Sequence, residues 1–299
     1  MIKPPYLKPG DTIGIVAPAR KVSIGDIETA IEIIKQQGYK VLLSDNLFGN
    51  YHQYSGTAEQ RTNDFQQMLD NSNVKAIIAA RGGYGSVQLI EGLNWNNFIN
   101  NPKWIIGYSD ITVFHSYINN ILNIESIHGT MPINMKSAQS ESVTSLFNLA
   151  TGKTNNIVLT PHELNITGNC KGKLIGGNLS ILYSLTGTSL LQNLEGCILF
   201  IEDLDEYLYH IDRIMMNLKL SGILRSIKGL VVGGMSDMND NTIPFGFSAE
   251  QTIHNIGREL NIPICFGLQS GHVEPNIALN MGREISLNVS ESQSIISYE

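Results

Sequence analysis

A serine, an acid and a histidine, in that order along 299 residues, are the side chains of this sequence that could share one reaction. Ser109 stands in Gly107-Tyr108-Ser109-Asp110, directly after the apolar run Trp104-Ile105-Ile106. A strand that breaks at a glycine and turns into a helix leaves one side chain at the tip of the turn. The unpaired N–H groups of the new helix start face the same spot and can hold a developing negative charge. This is the geometry of a nucleophile elbow, although Ile111 stands where G-x-S-x-G has its second glycine. The plain alternative is a serine that caps the helix 110–122. Glu202 ends the apolar run Leu199-Phe200-Ile201, with Asp203 beside it. His272 lies in Ser270-Gly271-His272-Val273-Glu274-Pro275-Asn276, a Gly/Pro-bounded loop after the apolar segment 262–268. A catalytic serine needs a base to take its proton, and the base needs an acid to set its tautomer and stabilise its cation. The three lie far apart in sequence, so only the fold can join them.

The elements that must position them alternate in the first half. Strands are predicted over 12–17, 40–43, 75–80, 103–106 and 126–129. Helices are predicted over 26–37, 59–69, 87–93 and 110–122, the first with Ile27, Ala30, Ile31 and Ile34 on one face and Gly38 as its stop. Alternation of this kind implies a parallel sheet with helices on both faces, and ligands of such sheets bind beyond the carboxyl ends of the strands. Both the Ser109 turn and Arg81-Gly82-Gly83-Tyr84-Gly85-Ser86 fall there. The second turn matches neither phosphate-binding pattern, G-x-x-x-x-G-K-[ST] or G-x-G-x-x-G after the first strand. Its glycines can let backbone N–H groups approach a substrate, or can simply make a tight turn.

A connection is predicted over 136–140 and a helix over 142–149, with turn formers over 151–156 and 160–169. The second half reads as short strands (197–201, 229–232, 262–268, 277–281, 285–289, 294–297) and two helices (207–218, 249–260). Met281-Gly282-Arg283-Glu284 reads as a hairpin turn. Units of 1–140 and 171–299, joined by 141–170, follow from this change of pattern. His115 and His210 fall on helices and read as structural.

Net charge is −7 with no basic run, which argues against nucleic acid as the main partner. No apolar run approaches the roughly 20 residues of a membrane span, and Met1-Ile2-Lys3-Pro4-Pro5 lacks the apolar core of a signal peptide, so a cytoplasmic protein is expected. Cys170, Cys197 and Cys265 are odd in number and widely spaced, which indicates neither a disulfide framework nor a zinc site. No H-E-x-x-H occurs, and no metal or cofactor is expected. Two other classes stay open on residues alone: a non-catalytic small-molecule binder, and a nucleotide-dependent enzyme that uses the glycine-rich turn.

Six motifs in order then carry a resemblance. They are Gly10-Asp11-Thr12-Ile13-Gly14-Ile15-Val16-Ala17-Pro18-Ala19, Arg81-Gly82-Gly83-Tyr84-Gly85, Gly107-Tyr108-Ser109-Asp110, Gly176-Gly177-Asn178-Leu179-Ser180, Ile201-Glu202-Asp203 and Gly271-His272. Over nearly its whole length the chain resembles the LD-carboxypeptidase family of serine peptidases, which includes muramoyl-tetrapeptide carboxypeptidases and microcin C self-immunity peptidases. The resemblance implies an α/β fold with an N-terminal Rossmann-like parallel-sheet domain, a β-rich α/β C-terminal domain and a site between them. It implies Ser109 as nucleophile, His272 as base, Glu202 as the orienting acid, a small muropeptide substrate and a homodimer. Backbone N–H groups of Asp110 and of the Gly83 turn would then stabilise the oxyanion, with Arg81 and Tyr84 as candidates for substrate binding. Thr130, in His128-Gly129-Thr130-Met131, departs from the proline frequent in the family. The compact length favours the cell-wall recycling type over the immunity type.

With no ligand spacing for a metal, activity is expected to survive dialysis against a chelator. Loss on chelation with restoration by zinc would reassign Glu202 and His272 as metal ligands.

Overall fold

The computed structural model describes residues 1–154, 156–192 and 194–298. Asn155, in the stretch read as turn formers, Asn193 and Glu299 lie outside the described residues. The first five strands are β1 (Thr12–Val16), β2 (Lys40–Leu43), β3 (Val74–Ala79), β4 (Trp104–Gly107) and β5 (Ser126–His128). They are followed by β6 (Ile157–Leu159), β7 (Gly168–Asn178), β8 (Ile198–Leu204), β9 (Gly229–Ser236), β10 (Ile264–Cys265), β11 (Leu279–Met281), β12 (Glu284–Val289) and β13 (Ser294–Tyr298). One sheet has the order β11-β5-β4-β3-β1-β2, with β5 to β2 parallel and β11 antiparallel at the edge. The other has the order β10-β9-β8-β7-β12-β13-β6, parallel from β10 to β7 and antiparallel beyond. The protein is thus a mixed α/β fold of two sheets.

Local chemistry accounts for the central strands. Trp104-Ile105-Ile106-Gly107 is buried throughout, as a strand covered by helices on both faces must be. The helix Ile24–Gln36 buries Ile27, Ala30, Ile31 and Ile34, and its start is closed by Ser23, whose N–H and hydroxyl both donate to Asp26. Chain order reverses between β1 and β3, with β2 outside β1, so a crevice opens at the carboxyl ends of β1, β3 and β4.

Several expectations are corrected. The segment 87–93 is not an α-helix but two 3₁₀ turns, Ser86–Gln88 and Ile90–Gly92, because the chain enters from a strained glycine and leaves extended at Leu93. Met281–Glu284 does not make a hairpin. β11 before it pairs with β5 in one sheet, and β12 after it pairs with β7 and β13 in the other, so the turn carries the chain between sheets. Pairing partners decide this, and a two-residue turn looks the same either way. β7 was read as turn formers at its start and was otherwise missed. Its first half, alternating and half-exposed, pairs with β12, and its Gly-rich second half pairs with β8. The helices Asn96–Asn100, Pro132–Met135 and Leu179–Ser184 and the strand β6 also went unread. The 262–268 strand shrinks to β10, and β8 runs on to Leu204, so Glu202 lies within a strand rather than beyond its end.

The helix Thr112–Asn120 joins the two sheets. Val113, Phe114 and Ile118 belong to one core cluster with Phe65 and Trp95 on one side and Ile175, Leu199, Ile201 and Ile211 on the other. Phe114 stacks on Phe65 with centroids 4.4 Å apart. At the other contact, Thr112 Oγ1 accepts the Asn178 N–H at 2.9 Å. Gly177 makes that approach possible: its φ is +140° and a Cβ there would sit 2.4 Å from Thr112 Oγ1. Gly177→Ala is therefore expected to destabilise the fold by about 2–4 kcal/mol, as backbone strain and overpacking combine. Denaturant unfolding measures it, and an unchanged midpoint would show that this contact does not hold the sheets.

Candidate active site

Ser109 follows β4 and opens a single 3₁₀ turn, Ser109–Ile111, ahead of the helix Thr112–Asn120. Its φ is +62°, in the left-handed region that costs a non-glycine residue about 1–3 kcal/mol. The capping alternative is not what is found. The N-cap of the turn is Tyr108 and that of the helix is Ile111. Among the described residues Ser109 Oγ makes no hydrogen bond, and its side chain is partly exposed. A strained, unbonded, accessible serine at a strand–helix turn is what the elbow reading requires.

The glycine-rich turn comes to it. A Cβ built on Gly82 would lie 3.1 Å from Ser109 Oγ. The peptide N–H that follows belongs to Gly83, and the Asp110 N–H sits at a turn start where no carbonyl of the turn can reach it. The Asp110 side chain ties the two turns together, as its Oδ2 accepts the Ser86 N–H at 2.8 Å. Burial raises the Asp110 pKa. Arg61 braces the same region from below, donating from Nη1 to the carbonyls of Pro18 and Gly85.

The second sheet supplies the acid and the histidine. Glu202 on β8 is fully buried, in register with Asn178 of β7. Its Oε2 accepts from His272 Nδ1 at 2.7 Å and from the His272 backbone N–H at 3.2 Å. Gly271 permits this, because a Cβ there would stand 2.5 Å from Glu202 Oε2. Burial pushes the Glu202 pKa up, but the His272 hydrogen bond and the proximity of the His272 and His128 imidazoles outweigh it and hold the carboxyl at about 2. For His272 burial works downward, and the Glu202 hydrogen bond and the charges of Glu202 and Asp203 raise the pKa above its ordinary value. The imidazole keeps 15% side-chain exposure, and its ring lies 4.8 Å from that of Tyr108, the neighbour of Ser109. Asp203 faces the other way. It accepts from Asn178 Nδ2, Ser180 N–H and Leu204 N–H, and burial with the Glu202 charge raises its pKa to about 7.

The fold thus brings the Ser109 elbow, the Gly82–Gly83 turn, Glu202 and His272 to one place, with no Ser109–His272 hydrogen bond formed. Catalytic hydrogen bonds are often long before substrate arrives. Arg81, next to Gly82, lines an open pocket of about 530 Å³ with Lys21, Asp26 and Asn50, to which Ser109 does not contribute. Tyr84 is exposed beside Tyr54, 6.4 Å between centroids. His115 is structural: Nδ1 meets Ser126 Oγ at 2.8 Å, Nε2 meets the Gly107 carbonyl at 2.9 Å, and burial lowers its pKa to about 3. His210 pairs with Glu206, which lies just ahead of its helix Leu208–Leu220. Sequence reasoning missed Tyr108 as the ring against His272, and missed His128, buried beside Glu202. A histidine closing a parallel strand next to the Ser109 strand was the signal available for His128. Among the described residues, no group of three or more His, Cys, Asp or Glu side chains is arranged to hold a metal ion.

The profile of the LD-carboxypeptidase N-terminal domain matches residues 13–129, and that of the LD-carboxypeptidase C-terminal domain matches 171–287. The chain is 31% identical over 98% of its length to a "Probable murein peptide carboxypeptidase" of Bacillus subtilis, covering 94% of that protein. It is 26% identical over 97% of its length to the microcin C7 self-immunity protein MccF of Escherichia coli, covering 95% of it. The crystal structure of a muramoyltetrapeptide carboxypeptidase from Oxalobacter formigenes superposes with a TM-score of 0.88 at 26% identity, covering 96% of this chain and 98% of that one.

A base must be neutral to take a proton, and the His272 pKa is raised. Turnover that uses His272 is therefore expected to rise with pH through one ionisation above 6.5, the ordinary histidine value. Glu202→Gln should move that limb down and lower kcat by roughly 10³–10⁴-fold. A limb that stays in place in Glu202→Gln would separate the acid from the base.

Proposed function

Because the chain belongs to the LD-carboxypeptidase family, we propose that it is a serine-type LD-carboxypeptidase that releases the terminal D-alanine of a murein tetrapeptide, L-Ala-D-Glu-(diamino acid)-D-Ala. The observation that carries this reading is the 2.7 Å contact of His272 with buried Glu202, presented through Tyr108 to the strained Ser109. A non-catalytic binder has no use for a buried acid–histidine pair beside a serine in the left-handed region.

The mechanism follows from the roles. Ser109 Oγ attacks the carbonyl carbon of the L-residue while His272 Nε2 takes its proton. The tetrahedral oxyanion is met by the N–H groups of Asp110 and Gly83, each such donor contributing about 10²–10³ in rate. The C–N bond breaks as His272 returns the proton to the leaving D-alanine amine. Water then attacks the acyl-serine with His272 again as base, and Ser109 is restored. Glu202 stabilises the His272 cation in both halves. The substrate carboxylate needs a cation near the glycine-rich turn. Arg81, with no ion pair of its own among the described residues, is the candidate, and exposed Tyr84 is a second candidate for substrate contact. Among the described residues, no helix is long and apolar enough to cross a membrane. A cytoplasmic recycling role and a homodimer belong to the same proposal.

A second reading, cleavage of an aminoacyl-nucleotide amide, is favoured by the likeness to the microcin C7 self-immunity protein. The test is D-alanine release from purified tetrapeptides ending in D-Ala or L-Ala, beside an aminoacyl-nucleotide. The expected result is strong preference for the D-terminal peptide, by roughly 10²-fold or more, since the wrong centre turns the substrate carboxylate away from its cation and leaves the pair unmade. Ser109→Ala and His272→Ala should each lose roughly 10⁴–10⁶ in kcat, with the double variant no worse than either. Equal cleavage of both peptides would remove the LD specificity, and preference for the nucleotide would select the second reading. Near-normal turnover in Ser109→Ala would end both.

A further inference from the structure

Glu202 has one carboxylate oxygen that the His272 pair does not use. Oε2 takes both hydrogen bonds from His272, while Oε1, fully buried, takes none. The atom that faces Oε1 is Nε2 of His128, 4.0 Å away, on a side chain also fully buried and also without a hydrogen-bond partner at that nitrogen. Buried polar atoms without partners are few in a folded protein, and each calls for an explanation. Here a possible donor and a strong acceptor face each other just beyond bonding range.

The surroundings favour one nitrogen of His128 as the proton carrier. His128 ends β5 in register with Gly107, so its backbone is held by the Ser109 strand. Its ring sits edge-on to Phe200 at 5.0 Å and near Tyr108 at 5.8 Å. Nδ1 lies 3.5 Å from Ser270 Oγ, whose hydroxyl can donate to it. With that donation the proton is on Nε2, which faces Glu202 Oε1. The other titratable groups around the pair are engaged. Asp203 is held by Asn178, Ser180 and Leu204. The Tyr108 hydroxyl donates to Asn134, Glu274 accepts from Gln139 and Ser142, and His115 is bonded at both nitrogens.

We propose that His128 is a positioning residue for the Ser109 reaction: its Nε2–H closes on Glu202 Oε1 as charge builds on His272, so that the carboxylate is held at both oxygens and stays aligned with His272 Nδ1. This rests on the serine-peptidase reading above. The terminal torsion of a glutamate is soft, so a carboxylate held at one oxygen can turn away from its partner. A closure of about 1 Å brings the pair to ordinary hydrogen-bond length. A second donor also shares the Glu202 charge and so limits how tightly that charge retains the His272 proton.

The test compares His128→Phe, which keeps a ring but removes the donor, with His128→Gln, which restores an N–H near the Nε2 position. In His128→Phe, kcat for the tetrapeptide should fall about 10–100-fold with KM within about twofold, the size expected when a partner that orients a site residue is lost. The acidic limb of kcat/KM should move to higher pH, because Glu202 then holds the His272 proton more strongly. His128→Gln should recover most of kcat and return the limb. Parent kcat and limb in a folded His128→Phe, or equal losses in both variants with an unmoved limb, would overturn the proposal. A structural role would lower the unfolding midpoint and leave the limb in place. Should His128→Phe fail to fold, histidine ¹⁵N spectra of the unaltered protein decide: an Nε2–H tautomer at His128 supports the proposal and an Nδ1–H tautomer overturns it. That measurement needs no turnover, so it stands apart from the Ser109→Ala test of the peptidase reading.

Discussion

A carboxylate with no exposed surface, Glu202 in the middle of β8, is the constraint around which this protein is arranged. A buried charge is tolerated only when paired and hydrogen-bonded. Its partners arrive from two directions. His272 comes with its side chain and its backbone N–H from the loop after β10, and His128 comes from the end of β5. The loop must press against the carboxylate, which is why position 271 has no room for a side chain. Asp203, one residue on, points to the opposite face of the strand and holds the β7 exit and the helix Leu179–Ser184. One strand therefore supplies a site acid on one face and a structural acid on the other.

The second requirement is that two sheets keep one geometry. The helix Thr112–Asn120 begins three residues after Ser109 and packs among side chains of both sheets. Its first residue accepts a hydrogen bond from Asn178, at the strand end where β7 is in register with Glu202. The helix thus carries the serine at its start and locates the acid at its side. β11, from late in the chain, closes the edge of the first sheet beside β5. This crossing ties the loop of His272 to the strand of His128. Displacement of either sheet would stretch both connections.

Strain at Ser109 fits the same logic. A left-handed serine is unfavourable in isolation, and the surrounding contacts hold it there. Gly82 abuts its side chain, and Asp110 binds the Ser86 amide. The turn that would present oxyanion donors and the turn that presents the serine are thus one hydrogen-bonded unit, set before substrate arrives. Preorganisation of this kind lets donors act on developing charge without reorganising at the moment of reaction.

Much of this was legible in the residues. Apolar runs ending in glycine marked β3 and β4, and helical spacing marked Ile24–Gln36, because these segments are buried by their own periodicity. The order Ser109, Glu202, His272 was visible because Ser109 and His272 stand at glycine-marked turns and Glu202 sets a charge in an apolar run, and such breaks are local. Tertiary pairing decided the rest. Nothing local tells that Met281–Glu284 leads from one sheet into another, since a turn has the same residues whichever strands it serves. β7 escaped because half of it alternates and half is glycine-rich, and each half satisfies a different neighbour. Nothing local marks His128; its place in the site comes only from Glu202, 4.0 Å away across 74 positions of chain. Residue types and spacing determined which groups could react. Only the folded packing decided which buried atoms meet, because burial and pairing are properties of neighbours that a sequence does not place side by side.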